Sequence, residues 1–324
     1  MSESELRLSD SQRESKCESE LRAAPAWVRV AARVISQLPM GRYRVMNRLC
    51  RKPPRAFLMH MPEELGGYLF YCDLRDGISR EVCFTGHYEP QVTALVRRIL
   101  RAGMSFVDVG ANWGYFTLLA ASLVGPGGRV LGLEPDPRLF KILQENIRRS
   151  ELDQVTVLPT AAADKAGTLT LAGYDEMEEN FGLSRITANP RDAQLTFQVS
   201  ADTLDHLFDE HGMTEIDLLK MDIEGAEVFA FAGLIDSLAT RRVKRVLLEL
   251  HPQQLAEHGS HASVIINRLQ EAGYKAWTID HSPTAIRRAA YGGVEDMNAW
   301  LHPFIASEEL DAWPHQLWLA PGIE

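Results

Sequence analysis

No apolar run in this 324-residue chain approaches the ~20 residues needed to cross a bilayer, so no membrane-spanning helix is expected. The first twenty residues are polar and acidic with no apolar centre, and no secretory leader is expected there. Cysteine is scarce: Cys17, Cys50, Cys72 and Cys83 stand at no metal-ligand spacing and read as reduced thiols of a cytoplasmic protein. Positive charge is in deficit, 34 Lys and Arg against 44 Asp and Glu, and the net charge of −10 argues against general nucleic-acid binding. There is no internal repeat. What is present is the composition of a globular protein, 45% hydrophobic and 24% charged, long enough for two domains.

Residues 1–21, rich in Ser and Glu and poor in aromatics, read as a disordered acidic tail. The charge then reverses. Between Arg22 and Arg55 there are nine Lys or Arg and no Asp or Glu, while Trp27, Val30, Val34, Ile35 and Leu38 recur at helical spacing with Arg29 and Arg33 off the stripe. Two readings stand: an amphipathic helix lying peripherally on an anionic membrane, or a helix docked on the protein's own acidic body, which the shortness of the stripe favours. Short strands with turns at Gly66-Gly67 and Asp76-Gly77 complete an N-terminal extension over residues 22–87, and a helix from Glu89 to Leu100 opens the main domain, residues 88–324.

That domain is organised around Met104 to Phe116. Met104, Phe106, Val107 and Val109 form a run too short and β-rich for a helix, bounded by Gly103 and Gly110. From Trp113 to Val124 the period becomes helical, so Gly110 to Gly114 joins a buried strand to a helix N-terminus, where α/β folds bind cofactors. Gly110 lets the chain turn beneath a ligand, and Gly114 lets the first helical turn pack closely. The spacing is GxxxG, not the GxGxxG of dinucleotide folds. A second strand, Val130 to Leu133, ends in Glu134, 24 residues after Gly110 and near the ~20-residue offset at which an acid meets a ribose. Asp136 before Pro137 fills the helix-capping role, leaving Glu134 to a ligand.

The pattern continues as helix Pro137 to Arg149, strand Val155 to Leu158, and a loop from Ala161 to Asp164. Asp164 could meet an adenine amino group or serve as a turn residue ahead of Gly167. Strands at Thr168 to Leu171 and Leu195 to Val199 flank an aperiodic stretch, Gly173 to Gln194, expected to be a lid or substrate loop. A helix from Thr203 to His211 follows. A fourth strand, Ile216 to Met221, ends at Asp222 with Lys220 and Glu224 beside it, and a helix from Ala226 to Ser237 follows Gly225. A fifth, Val243 to Leu250, carries Glu249 and is followed by His251. Five strand ends on one crevice make an active site the economical reading. His251 could equally be structural, and Lys220 could simply pair with Asp222 or Glu224. Helix Ala262 to Ala272, strand Tyr274 to Ile279, an irregular region rich in Trp, His and Pro, and strand Gln316 to Ala320 complete the chain.

Taken together, DVGANWGYFT at Asp108 to Thr117, LEPDP at Leu133 to Pro137, AAADKAG at Ala161 to Gly167, LLKMDIEGAE at Leu218 to Glu227 and LELH at Leu248 to His251 resemble the FkbM-type family of S-adenosylmethionine-dependent methyltransferases. The resemblance runs from about Tyr88 to the C-terminus. It implies an α/β, Rossmann-like class I methyltransferase fold: a seven-stranded, mostly parallel sheet whose last strand is antiparallel, preceded here by the N-terminal helix and small β extension. It implies S-adenosylmethionine as cofactor. Asp108, Gly110, Ala111, Asn112 and Gly114 would surround its methionine part, Glu134 its ribose and Asp164 its adenine. Trp113 replaces the smaller aliphatic residue usual in the motif. The acceptor implied is a hydroxyl on a small molecule, a glycan or glycolipid, or a natural-product scaffold; which one does not transfer.

The expected reaction is in-line displacement by a substrate oxygen, with Asp222 and His251 as candidate bases and Glu224 and Lys220 orienting the substrate. A carboxylate beside a sulfonium should be held at low pKa, which favours His251 as the base. A divalent metal held by Asp222 and Glu249 is a subsidiary expectation, from a partial resemblance to magnesium-dependent catechol-type methyltransferases. A nicotinamide-dependent oxidoreductase and a non-catalytic binding protein retaining the fold are the competing classes.

Overall fold

The computed structural model describes residues 23–38, 41–51, 53–54, 56–173, 184–186, 195–304 and 313–323. The chain enters through α1 (Ala26–Ser36) and α2 (Arg42–Leu49), forms a two-stranded antiparallel ribbon from β1 (Phe57–His60) and β2 (Leu69–Cys72), and continues as α3 (Gly77–Thr85) and α4 (Pro90–Ile99). The main sheet begins with β3 (Ser105–Val109), α5 (Tyr115–Val124), β4 (Arg129–Leu133), α6 (Pro137–Arg149) and β5 (Val155–Leu158). A side sheet follows from β6 (Thr160–Ala162), β7 (Gly167–Gly173), β8 (Arg185–Ile186) and β9 (Leu195–Asp202). Helix α7 (Leu204–Glu210) returns the chain to β10 (Leu218–Met221), and α8 (Glu227–Ala232) and α9 (Ile235–Ala239) lead to β11 (Arg245–Glu249). The last elements are α10 (Pro252–Glu257), α11 (Ala262–Glu271), β12 (Lys275–Ile279), α12 (Pro283–Gly292), β13 (Leu301–Pro303) and β14 (His315–Leu319).

Phe106 faces one apolar layer, Val107 and Val109 the other; this period-two division of the strand's apolar side chains requires cover on both sides of the sheet. Leu118, Leu119 and Val96 cover the first face, Phe208, Phe231 and Ile265 the second. The sheet order is β13-β12-β14-β11-β10-β3-β4-β5, with β3, β4, β5, β10 and β11 parallel and β14 antiparallel to both neighbours. Seven of these strands are the expected sheet with its antiparallel last strand. The eighth, three-residue β13, is an added edge paired with β12.

Several local expectations are corrected. Asp76-Gly77 is not a hairpin turn but the start of α3, because the Asp76 side chain accepts from the Ser79 amide at 2.8 Å and caps the helix. The loop expected at Ala161 to Asp164 is in part β6, paired parallel with β9. The helix expected from Ala226 to Ser237 breaks at Gly233, where a Cβ would lie 2.1 Å from the Ala163 carbonyl. The irregular region after β12 contains α12, capped by Ser282 and started by Pro283. Helix α1 docks on the body, through Val28 and Ile35 against Cys72, Leu74 and Phe84; Trp27, Val30 and Val34, expected on the docked face, are exposed. Cys50, Cys72 and Cys83 are free and buried. The tail 1–21, Cys17, most of the stretch 173–194 and residues 305–312 of the Trp-rich region lie outside the described residues. No helix of the described residues is long and apolar enough to cross a membrane.

Candidate active site

The carboxyl ends of β3, β4, β10 and β11 open on one crevice. Its floor is the turn after β3. Gly110 has φ +85° there, and a Cβ on it would sit 2.0 Å from the Asp222 carbonyl oxygen of the adjoining turn, so only glycine fits. Gly114, φ +91°, is tight for a different reason than expected: its Cβ would meet the Leu143 side chain of α6, not the strand. Asn112 takes a left-handed conformation, φ 51°, and its side-chain oxygen accepts from the Trp113 amide. Trp113 is buried, tilted against Tyr71 at 5.3 Å, and its carbonyl accepts from Asn146, so the enlarged side chain fills the core behind the turn.

Glu134 is 5% exposed on the crevice wall. One carboxylate oxygen accepts from the Asn112 amide at 2.8 Å and the other from the Asp136 amide at 2.9 Å. Burial pushes this carboxyl up to about 8, against those two amides, which favour the ionised form. Asp136 caps α6, as expected, and is paired with Arg138 at 2.7 Å.

The acid cluster lies opposite. Lys220, buried, has its Nζ 3.3 Å from Asp222 Oδ2 and 4.8 Å from the Phe116 ring centre. Burial opposes its charge, but Asp222, Glu89, Asp108 and Glu249 outweigh it and raise its pKa. His251, at the N-terminus of α10, sends Nδ1 to Glu227 Oε1 at 2.7 Å. Its Nε2 lies 3.7 Å from Glu224, 3.8 Å from Asp222 and 3.8 Å from Glu249. Burial would lower this imidazole, but the Glu227 hydrogen bond and the surrounding carboxylates lift it to about 9. Burial and Glu249 raise Asp222 against Lys220 and His251. Burial would raise Glu249 too, but His315 at 3.2 Å, His251 and Lys220 hold it at about 2.

Gly110, Ala111, Asn112, Glu134, Lys220, Asp222, Glu224 and Glu249 all line the crevice. Asp108 does not: it lies beneath the turn, accepting from the Thr117 hydroxyl at 2.6 Å, with burial pushing it up to about 6. Gly114 lies behind the lining, and Asp164 is exposed and apart from it. The wall expected to carry Asp164 is instead apolar, from Ala161, Ala162, Leu171 and Ile186.

Two acids went unread in the sequence. Glu227, fully buried, sits in the first turn of α8, where an acid is ordinary. Glu89 lines the crevice from the start of α4, 133 residues before Asp222 in sequence, with φ 43° and a burial-raised carboxyl. The φ is the kind of backbone outlier that marks a functional position, and no sequence pattern reports it. Asp222, Glu224 and His251 bring potential ligand atoms within 4.8 Å of one another, as do Glu89, Glu249 and His315, so the expected metal pair Asp222 and Glu249 is divided between two groups.

The "AMB antimetabolite synthetase AmbE" of Pseudomonas aeruginosa is 27% identical over 201 residues, 52% of this chain and 9% of that protein. The "31-O-demethyl-FK506 methyltransferase FkbM" of Streptomyces tacrolimicus is 30% identical over 177 residues, 47% of this chain and 67% of that protein. A crystal structure of a methyltransferase FkbM from Methylobacillus flagellatus KT aligns over 74% of this chain and 52% of its own, at 16% identity and TM-score 0.39. The chain thus spans a small fraction of the synthetase and about two thirds of the Streptomyces enzyme. The model of the methyltransferase FkbM domain matches residues 108–276, from the acid under the glycine turn to the start of β12 and over half of the sequence, and the chain belongs to this family of S-adenosylmethionine-dependent methyltransferases.

Proposed function

We propose that the protein transfers a methyl group from S-adenosylmethionine to a hydroxyl oxygen of a small-molecule, glycan or natural-product acceptor. The observation that carries the oxygen acceptor is the anchored histidine: Nδ1 fixed by buried Glu227 at 2.7 Å, Nε2 turned towards the crevice acids. A hydroxyl must lose a proton as it becomes an ether, and an imidazole held in one orientation by a carboxylate is suited to take it.

The crevice fits the cofactor on its own evidence. Five acids, Glu89, Glu134, Asp222, Glu224 and Glu249, line it with one lysine. Such a site favours a cation and disfavours the pyrophosphate of a nicotinamide dinucleotide, which counts against the oxidoreductase reading together with the GxxxG spacing. S-adenosylmethionine, when bound, supplies an electrophilic methyl on a cationic sulfur. Glu134, its carboxylate oriented by two backbone amides, is the acceptor for ribose hydroxyls, and the apolar wall of Ala161, Ala162, Leu171 and Ile186 suits a purine face. Gly110, Ala111 and Asn112 supply close backbone approach for the amino-acid part.

The chain's remaining task is positioning, which can supply about 7–11 kcal/mol of the barrier. Lys220 and Glu224 hold the acceptor, Glu227 orients His251, and His251 Nε2 takes the hydroxyl proton. The acids around His251 favour its charged form, and a cation bound in the crevice would oppose them and move the imidazole back towards its neutral, proton-accepting form. Asp222, with its raised pKa, can relay the proton onward.

Isothermal titration with S-adenosylmethionine and its demethylated product, with NAD as control, tests the reading, followed by an acceptor screen with labelled methyl groups. Binding of both sulfur ligands but not NAD, weakened in Glu134→Ala, is expected. Absence of binding in a folded protein would leave a non-catalytic protein with this fold as the better account.

A further inference from the structure

Helix α1 is amphipathic twice over. Val28 and Ile35, seven residues apart, are 1% exposed and seal the helix to the body, while on the opposite side Trp27, Val30 and Val34 stand 43%, 60% and 57% exposed. Helix α2 extends this outer face with Val45 and Leu49, 38% and 39% exposed, and the two helices together form one shallow apolar surface. Monomeric proteins rarely leave a contiguous surface of this kind bare, and those that do generally place a partner on it.

Charge selects the partner. Arg29, Arg33, Arg44, Arg48 and Arg51 are exposed around this face, and none forms an ion pair with a described residue. The whole chain carries −10, yet the stretch from Arg22 to Arg55 contains no acid. A second copy of an acidic protein could meet this face only by presenting the same arginines or a selected acidic patch. A sheet of anionic headgroups over an acyl boundary meets both halves of the pattern: arginine with phosphate, Trp and Val with hydrocarbon. A helix with an indole at its edge and valines at its centre matches an element lying in the plane of the interface.

We propose that the outer face of α1 and α2 docks the protein on an anionic lipid bilayer. The docking helices are one element from the chemistry: α1 packs on α3, whose Ile78 lines the crevice, and Tyr43 of α2 donates to Glu81 of α3 at 2.9 Å. Helices α1 and α3 stand between that outer face and the crevice wall to which Ile78 belongs.

The test is vesicle flotation of the full chain with phosphatidylcholine alone and with phosphatidylcholine mixed with phosphatidylglycerol. Binding to the mixed vesicles, weakened by salt and absent on the neutral ones, is expected. Val34→Glu should abolish it, and Arg29→Gln with Arg33→Gln should lower the partition coefficient roughly fivefold per arginine. These positions are exposed and remote from the crevice, so each variant should bind S-adenosylmethionine as wild type does, which separates failure of docking from misfolding and from failure of the catalytic reading. Equal binding to neutral and anionic vesicles, or binding indifferent to Val34→Glu, overturns the proposal. So does a concentration-dependent dimer, without lipid binding, that Val34→Glu dissolves, which would assign the face to a second copy.

Discussion

Glu227→Gln preserves the shape of a fully buried side chain and removes the charge 2.7 Å from His251 Nδ1. Burial pulls His251 down, and the Glu227 hydrogen bond is the leading influence that lifts it from 6.5 to about 9. At about 1.4 kcal/mol per pKa unit, that lift corresponds to roughly 3.5 kcal/mol of preference for the charged imidazole. A charge-assisted hydrogen bond of this kind accounts for about 1.5–3 kcal/mol, so its loss should lower the pKa by at least about one unit. The sign follows from the raised value. The charged imidazole contributes stability that is fully present below pH 6.5 and is lost as pH rises through about 9; in the variant that loss comes at lower pH. In kinetics, wild-type kcat should rise as His251 deprotonates, at a pKa below 9 once the cationic cofactor is bound. The variant should reach its plateau at lower pH, with the plateau depressed by about 10²-fold or more, because an unanchored ring no longer holds Nε2 as the acceptor. Paired pH–rate profiles and histidine NMR titrations measure both. A variant whose profile and plateau match wild type would refute the assignment of His251 as base and of Glu227 as its positioning residue.

Gly110→Ala places a Cβ 2.0 Å from the Asp222 carbonyl at φ +85°, and should cost more than about 2 kcal/mol in thermal or denaturant unfolding while abolishing cofactor binding in titration. Glu134→Ala leaves the Asn112 and Asp136 amides without their acceptor and should lose about 2–4 kcal/mol of stability and at least tenfold in S-adenosylmethionine affinity; unchanged affinity would remove Glu134 from the ribose site. Lys220 and His251 already supply positive charge to the acids that a divalent ion would use, so protein stripped with chelator should keep its kcat, and a loss restored by magnesium would make Asp222, Glu224 and His251 a metal site. Glu249, held at about 2, contributes stability present above its ordinary 4.5 and lost as pH falls towards 2; acid unfolding of Glu249→Gln should lack that part of the pH dependence.

The central parallel strands were legible because a strand covered on both faces reads as an apolar run: Ser105–Val109 and Arg129–Leu133 lie within a residue or two of their expected bounds, and the half-exposed edge strand Val155–Leu158 falls on its own. Helix α6 was legible from both its ends, Asp136 capping it and Arg148 and Arg149 closing it. Helix α3 was not, since Asp-Gly begins hairpins and helices alike and only the Ser79 amide decides. The break at Gly233 depends on the carbonyl of Ala163, the residue after β6, which the local sequence does not report. In the site, residues that follow the parallel strands and line the crevice, Gly110, Glu134, Asp222 and Glu249, could be placed because strand ends share an edge. Asp164 stands apart because β6 leaves the main sheet for the side sheet, and Glu89 arrives through α4, whose relation to the strand ends is purely tertiary.

The missing Cβ of Gly110 joins two parts of the crevice. With the Asp222 carbonyl against it, and the Asp222 amide donating to Val109 at 3.1 Å, the turn after β3 and the turn after β10 form one block of main chain. Neither can move alone. A substitution that displaces one turn therefore displaces the other. Substitutions on the crevice's outer walls, at Tyr88, Glu89 and the edge of the side sheet, leave that block in place.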